Sequence, residues 1–318
     1  MAATVSLPHL QKLLAHIHYD GMFSNTKARL YRDFLEHLLL SPHTLLDLEY
    51  SGSSTFGDNA EDLNYIVTGV KYVWREDPPH GMRFYKSDLE FYSGSLSELP
   101  LDQSLTKPFP EPKDKDSTGL TSRAVLCAFP PWKFAEGLRG SLTVHTQLAS
   151  LTIFSAPLNS WKTRDWATIL HTLPNLRTLY LLYTERYERF DSDDEGAEKR
   201  EHEDETYWPF PAMGSQPTIW EDQAFSGSPA DPSAIFVPQL NMLWLSKYRE
   251  GVRQEDINQP RLLMYLRDAL EARAERNARP LSMVRLDIIA QPGKGERSHA
   301  NANTLRKLVR RRYLVESA

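Results

Sequence analysis

Three side chains near the N-terminus have the types and spacing that suit a metal ion. His16, His18 and Asp20 alternate along the chain, and in an extended strand alternate residues leave from one face. Two imidazoles and a carboxylate presented together would hold Zn²⁺ if a fourth donor came from elsewhere. The sequence offers no second cluster of ligands, and a solvated strand face gives the same alternation, so no metal is expected. Asp191, Asp193, Glu195 and Gly196 imitate the opening of a calcium loop. The twelfth position of such a loop needs a bidentate glutamate, and here it is His202. From Thr184 to Thr206 the chain carries 11 acids and 4 bases, which reads as a solvated acidic loop.

Covalent and phosphate chemistry find no better footing. Cys127 is the single cysteine, so an internal disulfide and a multi-cysteine zinc site are excluded. It lies in the apolar context AVLCAFPPW, which suits an inert core thiol. No G-x-S-x-G, H-E-x-x-H or G-x-G-x-x-G occurs, and PGKGE lacks the spacing of a phosphate loop. The basic run LRKLVRRRY (305–313) has no interleaved aromatics for base stacking and reads as a solvated helix face. The sequence therefore predicts no catalytic residues, no cofactor and no nucleic-acid partner.

Bulk properties agree with an ordinary folded chain. It has 318 residues, 41% apolar and 25% charged, with a net charge of -5. No apolar run approaches the roughly 18 residues of a membrane helix, so no membrane partner is expected. The opening MAATVSLPHLQKLLAHI has neither a basic leader region nor a small-residue cleavage site and reads as a repeat already under way. With one buried thiol, the reading places the chain in cytoplasm or nucleus.

The elements that must position any surface recur as a short motif, L-x-x-L-x-L. It appears as Leu10, Leu13, Ala15; as Leu148, Leu151, Ile153; as Leu176, Leu179, Leu181; as Leu240, Leu243, Leu245; and as Leu281, Val284, Leu286. Weaker copies are HTLLDLEY, with Leu46 and Leu48, and SDLEFY, with Leu89 and Phe91. The L-x-L step predicts a short strand with alternate residues in the core. Helical spacing appears between strands at 29–40, 163–173 and 261–278, with Thr163 or Asp165 as caps for the second. Strand and helix in repetition give a parallel sheet with helices on its other face.

The strand positions Leu13, Leu46, Leu89, Leu151, Leu179, Leu243 and Val284 are separated by 33, 43, 62, 28, 64 and 41 residues. Gaps above 60 require a missed strand or a long loop. The expected organisation is a single domain over 1–318, with disordered insertions at about 99–119 and 190–233, where Pro, Gly, Ser and charge crowd. The expected fold is α/β: an irregular leucine-rich-repeat solenoid, or horseshoe, with parallel strands on the concave face and helices on the convex face.

The phrases LPNLRTLYLLY, FVPQLNMLWL and PLSMVRLDI, the last after the helix RLLMYLRDALEAR, resemble the leucine-rich-repeat part of the F-box proteins expanded in mushroom-forming fungi. The resemblance covers roughly 160–316 and includes the ending TLRKLVRRRYLVES. It implies an intracellular substrate-recognition surface of an SCF-type ubiquitin ligase adaptor. An F-box would recruit Skp and cullin, but residue 7 already opens a repeat, so that partnership is expected only with an F-box upstream.

Side-chain alternation assigns the concave face. His16 and His18 come first, then Asp47 and Glu49, then Thr152 and Phe154, then Tyr180 and Leu182, then Trp244 and Ser246, then Arg285 and Asp287. Phe154, Tyr180, Leu182 and Trp244 would make an aromatic centre flanked by charge, the usual composition of a protein-binding hot spot. The competing expectation is that inserted loops fold over these rings and bury them. The function expected is a non-enzymatic module that holds a protein ligand; the alternative is a repeat scaffold with no ligase role.

Overall fold

The structure is a computed structural model. It describes residues 4–19, 30, 33–41, 44–52, 79–85, 88–92, 123–127, 131–140, 148–158, 160–183, 208–214, 235–247, 259–276, 278–279 and 281–286. The chain is α/β with mostly parallel strands. It divides into two compact units, Met1–Phe129 and Pro130–Ala318.

The first unit holds β1 (Val5–Leu7), β2 (Lys12–Tyr19), β3 (Leu38–Leu40), β4 (Leu45–Gly52), β5 (Gly81–Tyr85), β6 (Asp88–Tyr92) and β7 (Arg123–Cys127). Its larger sheet runs β5-β6-β7-β4-β2, and β1 pairs with β3 separately. Val5 faces Leu38 and Lys12 faces Leu45, so both parallel pairs repeat at the same 33-residue offset. Leu13 and Leu46 are register partners, as the motif predicts. The helix expected over 29–40 is shorter: 33–36 are helical, and Leu38–Leu40 is β3. The apolar run LLL serves the second sheet here, and its pairing with Val5–Leu7 overrides the helical spacing.

SDLEFY is not a rung of the parallel ladder. Its strand, β6, runs antiparallel to both β5 and β7. Tyr85 and Asp88 are register partners, so only two residues separate the strands, and so short a link joins antiparallel neighbours only. The 62-residue gap hides a strand, β7, which pairs parallel with β4. Ala15, Leu48, Ala124, Phe91 and Met82 form one row across the sheet, and its last four members are buried.

The second unit holds α1 (Pro131–Gly140), β8 (Ile153–Pro157), α2 (Thr163–His171), β9 (Thr178–Tyr183), α3 (Phe210–Gly214), β10 (Met242–Lys247), α4 (Gln259–Glu275) and β11 (Met283–Leu286). Its strands are all parallel, in the order β11-β10-β9-β8. Across the 64-residue gap β9 and β10 are direct neighbours, and no strand stands between them among the described residues. The segment 190–233, expected as loop throughout, contains α3, with Phe210, Ala212 and Met213 buried. Its apolar word WPFPAM was outweighed in the sequence by the surrounding charge.

The joints between these four strands repeat atom for atom. The Thr152 carbonyl accepts the N–H groups of Arg177 and Thr178 at 2.8 and 3.0 Å. The Arg177 carbonyl accepts those of Asn241 and Met242 at 2.8 and 2.9 Å. The Asn241 carbonyl accepts those of Ser282 and Met283 at 2.7 and 3.3 Å. Three residues before each of the buried leucines Leu151, Leu176 and Leu240, a carbonyl takes that leucine's N–H and turns the chain into its strand.

That recurrence corrects the motif at β8. Phe154 pairs with Leu179 and Ala156 with Leu181. The matching triplet is therefore Leu151, Phe154, Ala156, one turn later than Leu148, Leu151, Ile153. A phenylalanine and an alanine stand where leucine or valine marks the other strands, which is why the aliphatic pattern slipped.

The helices cover one face of this sheet. Phe154 is 0% exposed among Phe134 of α1, Trp161 and Trp166, with ring centroids 6.2 to 6.4 Å away. Trp161 and Trp166 meet edge to face at 4.8 Å, and Trp161 Nε1 donates to the Pro131 carbonyl at 2.6 Å. α2 starts where predicted and ends two residues before the predicted span does, and its N-cap is Lys162, which makes no side-chain cap hydrogen bond. Its C-terminus is closed by Thr172 Oγ1, which donates to the Ile169 carbonyl at 2.7 Å, before Pro174.

Candidate functional site

Ser155, Tyr180, Trp244 and Arg285 are consecutive register partners on β8, β9, β10 and β11. They alternate with the core residues Phe154, Leu179, Leu243 and Val284, so they lie on the face away from the helices. Tyr180 and Trp244 rings are 5.2 Å apart and tilted by 48°. The Arg285 guanidinium carbon lies 4.3 Å from the Trp244 ring centroid. A cation above an indole at that distance is held by the ring quadrupole, worth about 0.5–2 kcal/mol depending on desolvation. Ser155 is buried, and its Oγ has no hydrogen-bond partner among the described residues.

Burial pushes the Tyr180 phenol above its ordinary range, with Arg285 pulling weakly in the other direction. The phenol is therefore a proton donor at neutral pH. Leu182 is half-buried one step along, opposite Pro157 and Ser246.

The elements beneath hold β10 firmly. Val237, in the turn before it, has φ of 46°, a left-handed conformation that a β-branched residue rarely adopts. Arg273 of α4, 3% exposed, donates to the Phe236 carbonyl at 3.1 Å and the Val237 carbonyl at 3.3 Å. The same Val237 carbonyl accepts the Leu240 N–H. Nothing in the spacing of ALEARAE announced this buried arginine, since its partners are backbone carbonyls far away in sequence.

Tyr180, Leu182, Trp244 and Arg285 thus share a face, as alternation predicts. Phe154 does not join them: the slipped motif placed it on the wrong side, and it belongs to the helix-side core. Trp244 has the expected direction but not the expected exposure, at 5%. Tyr180 and Arg285 pack on it and remain half-buried themselves. Asp287 lies outside the described residues.

Asp47 and Glu49 belong to the first unit. Asp47 pairs with Lys12 at 3.6 Å, and Glu49 faces His16 Nδ1 at 3.4 Å. Sequence reasoning named His16 and Glu49 but missed the rest of their row, Val125, Glu90 and Arg83, in which Arg83 and Glu90 form a largely buried ion pair. The signal was available: Arg83 and Glu90 each sit between two buried apolar neighbours, in MRF and LEF.

His16 faces Glu49; the side chain of His18, and Asp20, lie outside the described residues, as do 184–207 and 305–313. Among the described residues no group of three or more His, Cys, Asp or Glu is placed to hold a metal ion. No helix among them is long and apolar enough to cross a membrane. Comparison with known protein families, with curated proteins and with solved structures finds no match for this chain.

Proposed function

We propose that the chain is a protein-binding module of leucine-rich-repeat type, whose ligand-holding surface is the sheet face of β9, β10 and β11 away from the helices. The observation that carries this reading is the row Tyr180, Trp244, Arg285, packed ring to ring and cation to ring. These are the three residue types that dominate binding hot spots, and packing before a partner arrives lowers the entropy cost of holding one. The repeat-type solenoid is supported by the carbonyl of each rung accepting two N–H groups of the next. The finer role, substrate recognition within an SCF-type ubiquitin ligase, rests on the family resemblance of 160–316 alone. A repeat scaffold without ligase partners is the alternative.

The test is affinity capture with the full chain and with Tyr180→Ser/Arg285→Ala, both checked for cooperative melting. Proteins retained by the first and lost by the second support the reading. Identical capture by both removes this face as the site. Skp and cullin among the retained proteins separate the ligase role from the scaffold.

A further inference from the structure

Two turns of the second unit are built on the same word. Leu173, Pro174, Asn175 and Leu176 lead into β9, and Val237, Pro238, Gln239 and Leu240 lead into β10. In each, the first carbonyl accepts the N–H of the leucine three residues on, at 3.0 Å. Their backbones differ. Val237 has φ of 46°, and among the described residues it is the one non-glycine residue with a positive value. The hydrogen bond of the turn therefore does not demand the left-handed state, since Leu173 makes the same bond without it.

The conformation of Val237 is opposed from several sides. An L-residue pays a steric cost there, a β-branched one pays more, and a following proline pushes the residue before it toward the extended region. Arg273 of α4 supplies what holds it. Its Nη1 donates to the Phe236 carbonyl at 3.1 Å and to the Val237 carbonyl at 3.3 Å, and its Nη2 to the Val237 carbonyl at 3.3 Å. Successive carbonyls of an extended chain point to opposite sides. One guanidinium takes both only if the backbone between them leaves the extended region, and that backbone is Val237. Val237 is 1% exposed and Arg273 3%, so water does not stand in for these donors.

The strained residue is connected to β10 by a short chain of bonds. The Val237 carbonyl also accepts the Leu240 N–H, and the next two N–H groups, of Asn241 and Met242, bond the Arg177 carbonyl just before β9. Those bonds set where β10 begins against β9, and Trp244 stands beside Tyr180 two residues later.

We infer that the turn from Phe236 to Leu240 is a sprung joint held shut by Arg273, and that its opening is the conformational step that loosens β10 and Trp244 from β9 while β8 stays in place. When the guanidinium withdraws, Val237 returns to the extended region that Pro238 favours, the Leu240 N–H loses its acceptor, and the start of β10 slackens. Because Arg273 belongs to α4, displacement of that helix reaches Trp244 through this joint. The device is a property of the fold and does not depend on what the sheet face binds.

The experiment is hydrogen–deuterium exchange of the full chain, read by mass spectrometry on peptides covering Met242–Lys247 and Ile153–Pro157. Arg273→Met should speed exchange of β10 about tenfold and leave β8 within about twofold of the unaltered chain. The decisive comparison repeats the substitution in a Val237→Gly background, where positive φ carries no penalty. There Arg273→Met should speed β10 by less than about threefold, because nothing is left to spring open. The buried side chain lost in Val237→Gly is absent from both members of that comparison and cancels. Arg273→Lys keeps a donor for the carbonyls without the fork, and it should speed β10 about threefold and again by less in the glycine background. It decides the matter if Arg273→Met fails to fold. Equal acceleration in the valine and glycine backgrounds would make Arg273 an ordinary hydrogen-bond donor and overturn the spring. Equal acceleration of β8 and β10, or none at β10, would overturn the joint.

Discussion

Arg285 sits 4.3 Å over the ring of Trp244, and the two are also direct register partners on β11 and β10. Their contact is a property of the parallel ladder: a one-residue slip of β11 would send the guanidinium to the opposite face. A double-mutant cycle of Arg285→Met and Trp244→Leu should return a coupling of about 0.5–2 kcal/mol by urea unfolding. A coupling indistinguishable from zero would mean that the pair does not form in solution.

The register also separates Phe154 from Tyr180, although both are aromatic and both lie in short strands. Phe154→Ala removes a ring from a closed cluster of Phe134, Trp161 and Trp166 and should cost about 3–5 kcal/mol. Tyr180→Ala empties a half-covered position and should cost less than half of that. Equal costs, or a larger one at Tyr180, would place Phe154 outside the core.

How far the sequence could be read follows from this contrast. Leu179, Leu181, Leu243, Leu245 and Val284 announced their strands because aliphatic residues at the L-x-x-L-x-L spacing are rarely accidental, and the register among them came out as read. At β8 the same places are taken by Phe154 and Ala156, so the pattern locked onto Leu148 and Leu151 and put the phenylalanine on the wrong face. β7 was missed because RAVLC carries its apolar residues without alternation between obvious turn signals. The flanks MRF and LEF single out Arg83 and Glu90, but their pairing depends on a hairpin register, and the Arg273 bonds depend on backbone carbonyls that leave no local spacing to find.

Arg273 is the next point of test. Its guanidinium binds two carbonyls of the strained turn at Phe236 and Val237, almost wholly away from water. Arg273→Met preserves much of the side-chain volume but leaves those acceptors with fewer donors, at a cost of about 1–3 kcal/mol. Since β10 leaves that turn, the near-ultraviolet circular dichroism of Trp244 should change as well. Unaltered stability and an unaltered tryptophan signal would show that the turn holds itself.

Gly214 closes α3 against α4 with no room for a side chain. A Cβ added there would stand 3.0 Å from Ala269 Cα, which is backbone and cannot swing aside. Gly214→Ala should therefore push the two helices apart and cost about 1–3 kcal/mol, despite the general preference of helices for alanine. Stabilisation by this substitution, measured by urea unfolding, would mean that α3 does not pack where it is described.

Tyr180 supplies a pH dependence with a definite sign. Its ordinary value is 10.0, and burial raises the folded-state value above that. Below about pH 10 both folded and unfolded chains keep the proton, so the residue adds no slope. Above it the unfolded chain ionises first and binds fewer protons than the folded one, so stability falls as pH rises until the folded phenol also ionises. Tyr180→Phe should therefore flatten the loss of stability above pH 10, and the difference in absorbance at 295 nm between the two proteins should titrate above pH 10. A phenol that ionises below pH 10 in that difference spectrum would mean that the Arg285 charge outweighs burial, and that Tyr180 is wetter than its packing on Trp244 implies.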